Sequence, residues 1–157
     1  MIGEFRSFRA LFLVLAMPLS AGALLFEAYA LPADGVTVRD AWVREPPPDR
    51  DVTAAFAVVE NAGREARAIV SAKSGEAEKV ELHEMKRDGE MMRMSPVEKI
   101  ELPAGGRTEL KPGGLHLMLF GLKKRIGPGD IVALEIALDD GTVLSVSAPV
   151  RSRESAK

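Results

Sequence analysis

Apolar residues along this chain arrive in short alternating bursts, each closed by turn residues, and that pattern predicts strands throughout. VTVRDAWV (36–43) reads as a strand. REPPPDRD (44–51) reads as an irregular loop, because three prolines remove backbone donors and fix φ. TAAFAVVE (53–60), closed by Asn61-Ala62-Gly63, and ARAIVSA (66–72) read as strands or short buried segments, with their alanines leaving helix open. KVELHEM (79–85), EMMRMSPV (90–97), KIEL (99–102), RTELKP (107–112) and LHLMLFGL (115–122) follow at regular spacing. IVALEIAL (131–138) and TVLSVSAPV (142–150) flank Asp139-Asp140-Gly141, a hairpin signal because glycine accepts positive φ. Many short strands with this punctuation predict an all-β antiparallel sandwich or barrel.

The first thirty residues break the pattern. MIGEFRSFR carries two arginines, an apolar stretch follows, and Ala28-Tyr29-Ala30 fits a signal-peptidase site with the cut after Ala30. Pro18, Ser20 and Gly22 make the apolar run a poor spanning helix, which needs about 20 mostly apolar residues. An uncleaved anchor is the competing reading. The expected division is a signal peptide at 1–30 and one exported domain at 31–157.

The leader holds two charges of each sign (Arg6, Arg9, Glu4, Glu27), so the net charge of −2 is the same with or without it. That balance, with Trp42, Phe56 and Phe120 as the only aromatics after the leader, argues against nucleic-acid binding. Trp42 is expected in the core, and Lys123-Lys124-Arg125 in a solvated loop. The chain has no cysteine, which removes disulfides and thiol chemistry and leaves methionine as the only sulfur for a soft metal.

Candidate chemistry is concentrated in one place. Both histidines and all five methionines beyond the leader fall between residues 83 and 118. Strand alternation puts Val80 and Leu82 on one face and Glu81, His83 and Met85 on the other. It likewise separates Leu115, Leu117 and Leu119 from His116 and Met118, whose α-carbons lie roughly 7 Å apart. Imidazole and thioether donors together favour Cu(I) over zinc, calcium or magnesium. Methionine is more often core filler, and Met91 is read that way, while Met85 and Met92 leave both readings open. HEMKR lacks the second histidine of H-E-x-x-H, no nucleophile elbow or phosphate loop occurs, and four protein donors would leave no open position for substrate. An enzyme is not expected.

His83, ten residues, Met94, twenty-one residues, then His116-Leu117-Met118 reproduces the motif of the periplasmic PCu(A)C-type copper chaperones. VELHEM, LPAGG and LKPGGLHLMLFGLK also resemble that family, with similarity over about 36–150. The resemblance implies a cupredoxin-like, immunoglobulin-like Greek-key β-sandwich holding one Cu(I) on His83, Met94, His116 and Met118. It implies periplasmic delivery of copper to the Cu(A) domain of cytochrome c oxidase subunit II, with a thiol-bearing assembly factor as a further candidate partner and a monomeric state. The family's optional methionine after the first histidine is Glu84 here, and RSRESAK lacks the Met/His tail that would make a second site. The rival readings are a metal-free exported interaction module and a copper storage or scavenging protein.

Overall fold

The computed structural model describes residues 35–154, so the leader and its cleavage site lie outside the described residues. Ten strands form: β1 (Val36–Arg44), β2 (Val52–Asn61), β3 (Arg67–Ser74), β4 (Ala77–Asp88), β5 (Met91–Pro96), β6 (Ile100–Leu102), β7 (Gly106–Leu110), β8 (Leu115–Leu122), β9 (Ile131–Leu138) and β10 (Val143–Arg151). They follow one another laterally as β5-β4-β8-β7-β2-β1-β10-β9-β3-β6, with β8 also pairing β2. Most neighbours are antiparallel; β1–β10 and β7–β8 are parallel. The alanine-rich segments 52–61 and 67–74 are strands, because each has partners on both sides that outweigh alanine's modest helix preference.

The sheet folds over into two halves joined by the short β1–β10 contact, where Val43 faces Val150 and Arg44 faces Arg151. One apolar cluster fills the space between the halves, drawing Val59, Leu82, Leu117 and Leu119 from one and Ile69, Ile100, Ile136 and Leu138 from the other. Burying such residues away from water is the main favourable contribution to folding. Buried Asn61 ties the halves together. Its Nδ2 donates to the carbonyls of Glu65 (2.8 Å) and of Leu102 in β6 (3.1 Å), and its Oδ1 accepts from the Gly63 N–H (3.0 Å).

Two backbone details shape the face opposite this core. In β1 the register with β2 slips between Arg39 and Trp42, with Asp40 at φ 50°. One extra residue on a strand reverses which side chains face inward. Val36 is therefore buried before the bulge and Val43 after it, and Trp42 stands opposite Phe56 on the other face. At the far edge, β4 and β5 form a long hairpin turning at Gly89-Glu90. Gly89 takes φ 63°, as the first central residue of a two-residue hairpin turn requires. Residues 86–88, which lie between the bursts KVELHEM and EMMRMSPV, continue β4 as paired strand: Lys86 faces Arg93 and Arg87 faces Met92.

Candidate metal centre

The β4–β8 register sets Leu82 opposite Leu117 and His83 opposite His116, with Glu81 opposite Met118. The leucines enter the core, so both imidazoles stand on the opposite face. Their ring centroids are 5.9 Å apart. That face is not open to water at this point: His83 is 8% exposed and His116 3%. Phe120, two positions beyond Met118, lies 6.0 Å from the His83 ring, and Phe56 of β2 lies 6.2 Å from His116. Trp42 stacks on Phe56 at 4.5 Å, and the Arg151 guanidinium covers Trp42 at 5.3 Å. Trp42, expected in the core, is half-buried in this aromatic wall on the other face.

Each imidazole has one nitrogen committed. The Glu81 carboxylate sits 2.8 Å from His83 Nε2 and can only accept, so Nε2 carries a proton and, in the neutral imidazole, Nδ1 is the nitrogen with the lone pair. Lys79 holds the other Glu81 oxygen at 2.5 Å. Lys79 first, and then His83, hold the Glu81 carboxyl below its usual range. His83 Nδ1 is buried and has no hydrogen-bond partner. A buried polar atom without a partner costs stability, and a lone pair on a neutral imidazole is what a metal ion requires. His116 is arranged the opposite way: Nδ1 donates to the Gly114 carbonyl at 2.9 Å, leaving Nε2 free. Burial holds the His116 pKa below its ordinary value. The Gly114 bond opposes this, and His83 and Arg44 add to it.

The methionines complete the face. Met118 is two residues from His116 and lies opposite Ala54 of β2. Met94, on edge strand β5, lies opposite Met85, which is two residues from His83; His83 itself faces Pro96. Met94, His116, Met118 and Met85 share the wall of a cavity of about 320 Å³, whose other side includes Arg44, Thr53 and Phe56. His83 lies behind this wall, against His116. Met94 is 45% exposed and Met92 47%. Met91 is 67% exposed on the reverse face of β5, so the expectation that it plugs the core is wrong: the hairpin carries it past the core's edge. Lys123, Lys124 and Arg125 are exposed and outside any strand, as expected.

Among the described residues, no group of three or more His, Cys, Asp or Glu side chains could hold an ion. The sulfur donors that share the cavity with His116 are the thioethers of Met85, Met94 and Met118. The roles of Glu81 and Gly114 were not visible in the sequence, although Glu81 on the face of His83 was the available hint.

The family model described as "LpqE-like: Putative lipoprotein LpqE-like" matches residues 36–150. The chain belongs to this LpqE-like, PCuAC family. A relative from Leifsonia xyli subsp. xyli (strain CTCB07), "Putative lipoprotein Lxx21020", is 35% identical over 120 residues, covering 76% of this chain and 71% of its own. Among solved structures, the copper-bound PCuAC domain of PmoF2 superposes with a TM-score of 0.66 at 19% identity, covering 75% of this chain and 93% of that one. The solution structure of Cu(I)-loaded DR1885 from Deinococcus radiodurans gives 0.59 at 32% identity, covering 80% and 83%. The fold is thus the all-β cupredoxin-like sandwich of PCuAC domains.

Two outcomes test the imidazole geometry. Glu81→Leu should weaken metal binding by about 10–100-fold, as loss of an outer-shell partner typically does. Glu81→Gln, which keeps an acceptor for Nε2–H, should lose less; equal affinity of all three proteins contradicts the arrangement. In the apo-protein, NMR titration of His116 should give a pKa below the free value near ~6.5. Because the folded value is depressed, stability is lost as pH falls from about 6.5 through the folded pKa. Titration at or above the free value contradicts the burial.

Proposed function

We propose that this protein is an exported copper carrier. It binds one Cu(I) through His83, Met94, His116 and Met118 and passes it to the Cu(A) domain of cytochrome c oxidase. The observation that carries the reading is the partnerless, buried Nδ1 of His83 beside His116, whose Nε2 is also free. Two neutral imidazoles with thioethers on the same face form a soft, uncharged donor set, which suits Cu(I). The naming of DR1885 as a Cu(I)-bound protein and of the PmoF2 domain as copper-bound agrees with this.

Export is supported by the leader pattern at 1–30 and by the lipoprotein description of the family and of the Leifsonia relative. The Ala28-Tyr29-Ala30 pattern supports a leader cut after Ala30 and a periplasmic domain, with a retained anchor as the rival reading. Binding and release are the work of the site, not catalysis: four protein donors leave no position for a substrate.

Delivery follows from the ligands and from access. None of the four donors is an anion, so they hold Cu(I) less firmly than a pair of thiolates, and transfer to reduced cysteines runs downhill. Met94 stands half-exposed on the edge strand, where an incoming thiolate can approach as its thioether departs.

The test mixes Cu(I)-loaded protein with a reduced apo Cu(A) domain, separates the two and assays copper. Transfer is the expected result. Copper that stays in place while a small dithiol chelator strips it readily overturns delivery to that acceptor; copper that neither removes points to storage. Met118→Leu should fold, since such swaps usually cost under about 1.5 kcal/mol, yet bind Cu(I) more weakly.

A further inference from the structure

Building on the four-ligand reading, we propose that Met85 is a further copper ligand, an inner thioether onto which Cu(I) moves as Met94 lets go. Nothing in the spacing of the four expected donors requires Met85. Four features of its setting do.

First, Met85 and Met94 are directly opposed across the β4–β5 ladder. Opposed residues have β-carbons about 4.5–5.5 Å apart on the same face, so two flexible thioethers there can reach one ion. Second, Met85 lines the same cavity as Met94, His116 and Met118. Third, the Met85 backbone is tied to the His116 ring. The Gly114 carbonyl accepts the Met85 N–H at 3.1 Å and the His116 Nδ1–H at 2.9 Å, so one oxygen sets the position of both. Fourth, packing does not account for the residue: half-buried Met85 lies outside the apolar core cluster, on the face that Leu82 does not use.

Its neighbour Glu84 takes no part. Alternation turns Glu84 to the other face, opposite Leu115 and Ser95, where it pairs with Lys86 at 2.7 Å.

Met85 brings the donors to five: two imidazoles and three thioethers. Cu(I) takes no more than four, so one thioether is always in surplus, and the opposed Met85 and Met94 exchange in that place even before an acceptor arrives. Met94 is 45% exposed on the edge strand and is the one an acceptor reaches first. As the Met94 S–Cu bond breaks, a Met85 S–Cu bond forms. The ion stays Cu(I), no proton moves, and it remains on His83, His116, Met118 and Met85 until the acceptor's sulfur takes over. The surplus thioether thereby separates release to a partner from loss to water.

The experiment uses protein carrying 13C-methyl methionine, titrated anaerobically with Cu(I), its methyl signals assigned from single Met→Leu variants. The ε-methyls of Met85, Met94 and Met118 should shift together up to one equivalent, while Met91, on the reverse face of β5, stays put. Met85→Leu should still take up one Cu(I) per chain on the remaining four donors, but lose it to a small dithiol chelator several-fold faster than the wild type does. Met91→Leu serves as the control and should match the wild type. A Met85 methyl unmoved at saturation, or a Met85→Leu protein that releases copper at the wild-type rate, overturns the role of Met85 and leaves the four-ligand site standing. A wild-type protein that takes up no Cu(I) overturns both.

Discussion

Everything at the candidate centre depends on the register between β4 and β8. With Leu82 opposite Leu117, the chain sends its leucines into the core and sets His83 opposite His116 on the reverse face. A slip of one residue would reverse both sets, burying imidazoles among leucines and exposing leucines at the cavity. Hydrophobic burial is therefore what aligns the polar donors: the large apolar area removed from water pins the pairing, and the site follows from it. The continuation of β4 into the β5 hairpin extends the same face to the thioethers of Met85 and Met94.

The reverse face of such a sheet would ordinarily be wet, and here it is dry where the histidines sit. The bulge at Asp40 turns Trp42 onto that face, where it stacks on Phe56 beside His116. Burial disfavours the protonated imidazole and so keeps His116 available as a neutral donor. The Arg44 guanidinium, 5.1 Å over Phe56 on the cavity wall, acts in the same direction on a proton and on a bound monovalent cation. On the proposed function, a site built from neutral donors beside a fixed positive charge would hold Cu(I) without the grip of an anionic site, which suits a carrier.

Much of this could be read from the chain because period-two alternation is a direct statement about faces. LHLMLFGL and IVALEIAL coincide with β8 and β9, since each alternates between a core face and another environment. The end of β4, residues 86–88, was not marked as strand for a physical reason. It extends beyond the core with charged residues on both faces, so no hydrophobic alternation marks it as strand. Met91 was misjudged for the same reason, because a methionine past the core's edge has nothing to pack against. The depth of the histidines was also hidden. It depends on aromatics brought from β1 and β2 by a one-residue bulge, and no local pattern near residue 83 or 116 records them.

The central claim is a single mixed imidazole–thioether copper site, and copper K-edge X-ray absorption of the Cu(I)-loaded protein tests it most directly. The account predicts nitrogen and sulfur scatterers together in the first coordination shell. Because the chain has no cysteine, every sulfur seen must come from methionine. A shell of nitrogen and oxygen alone would contradict the account.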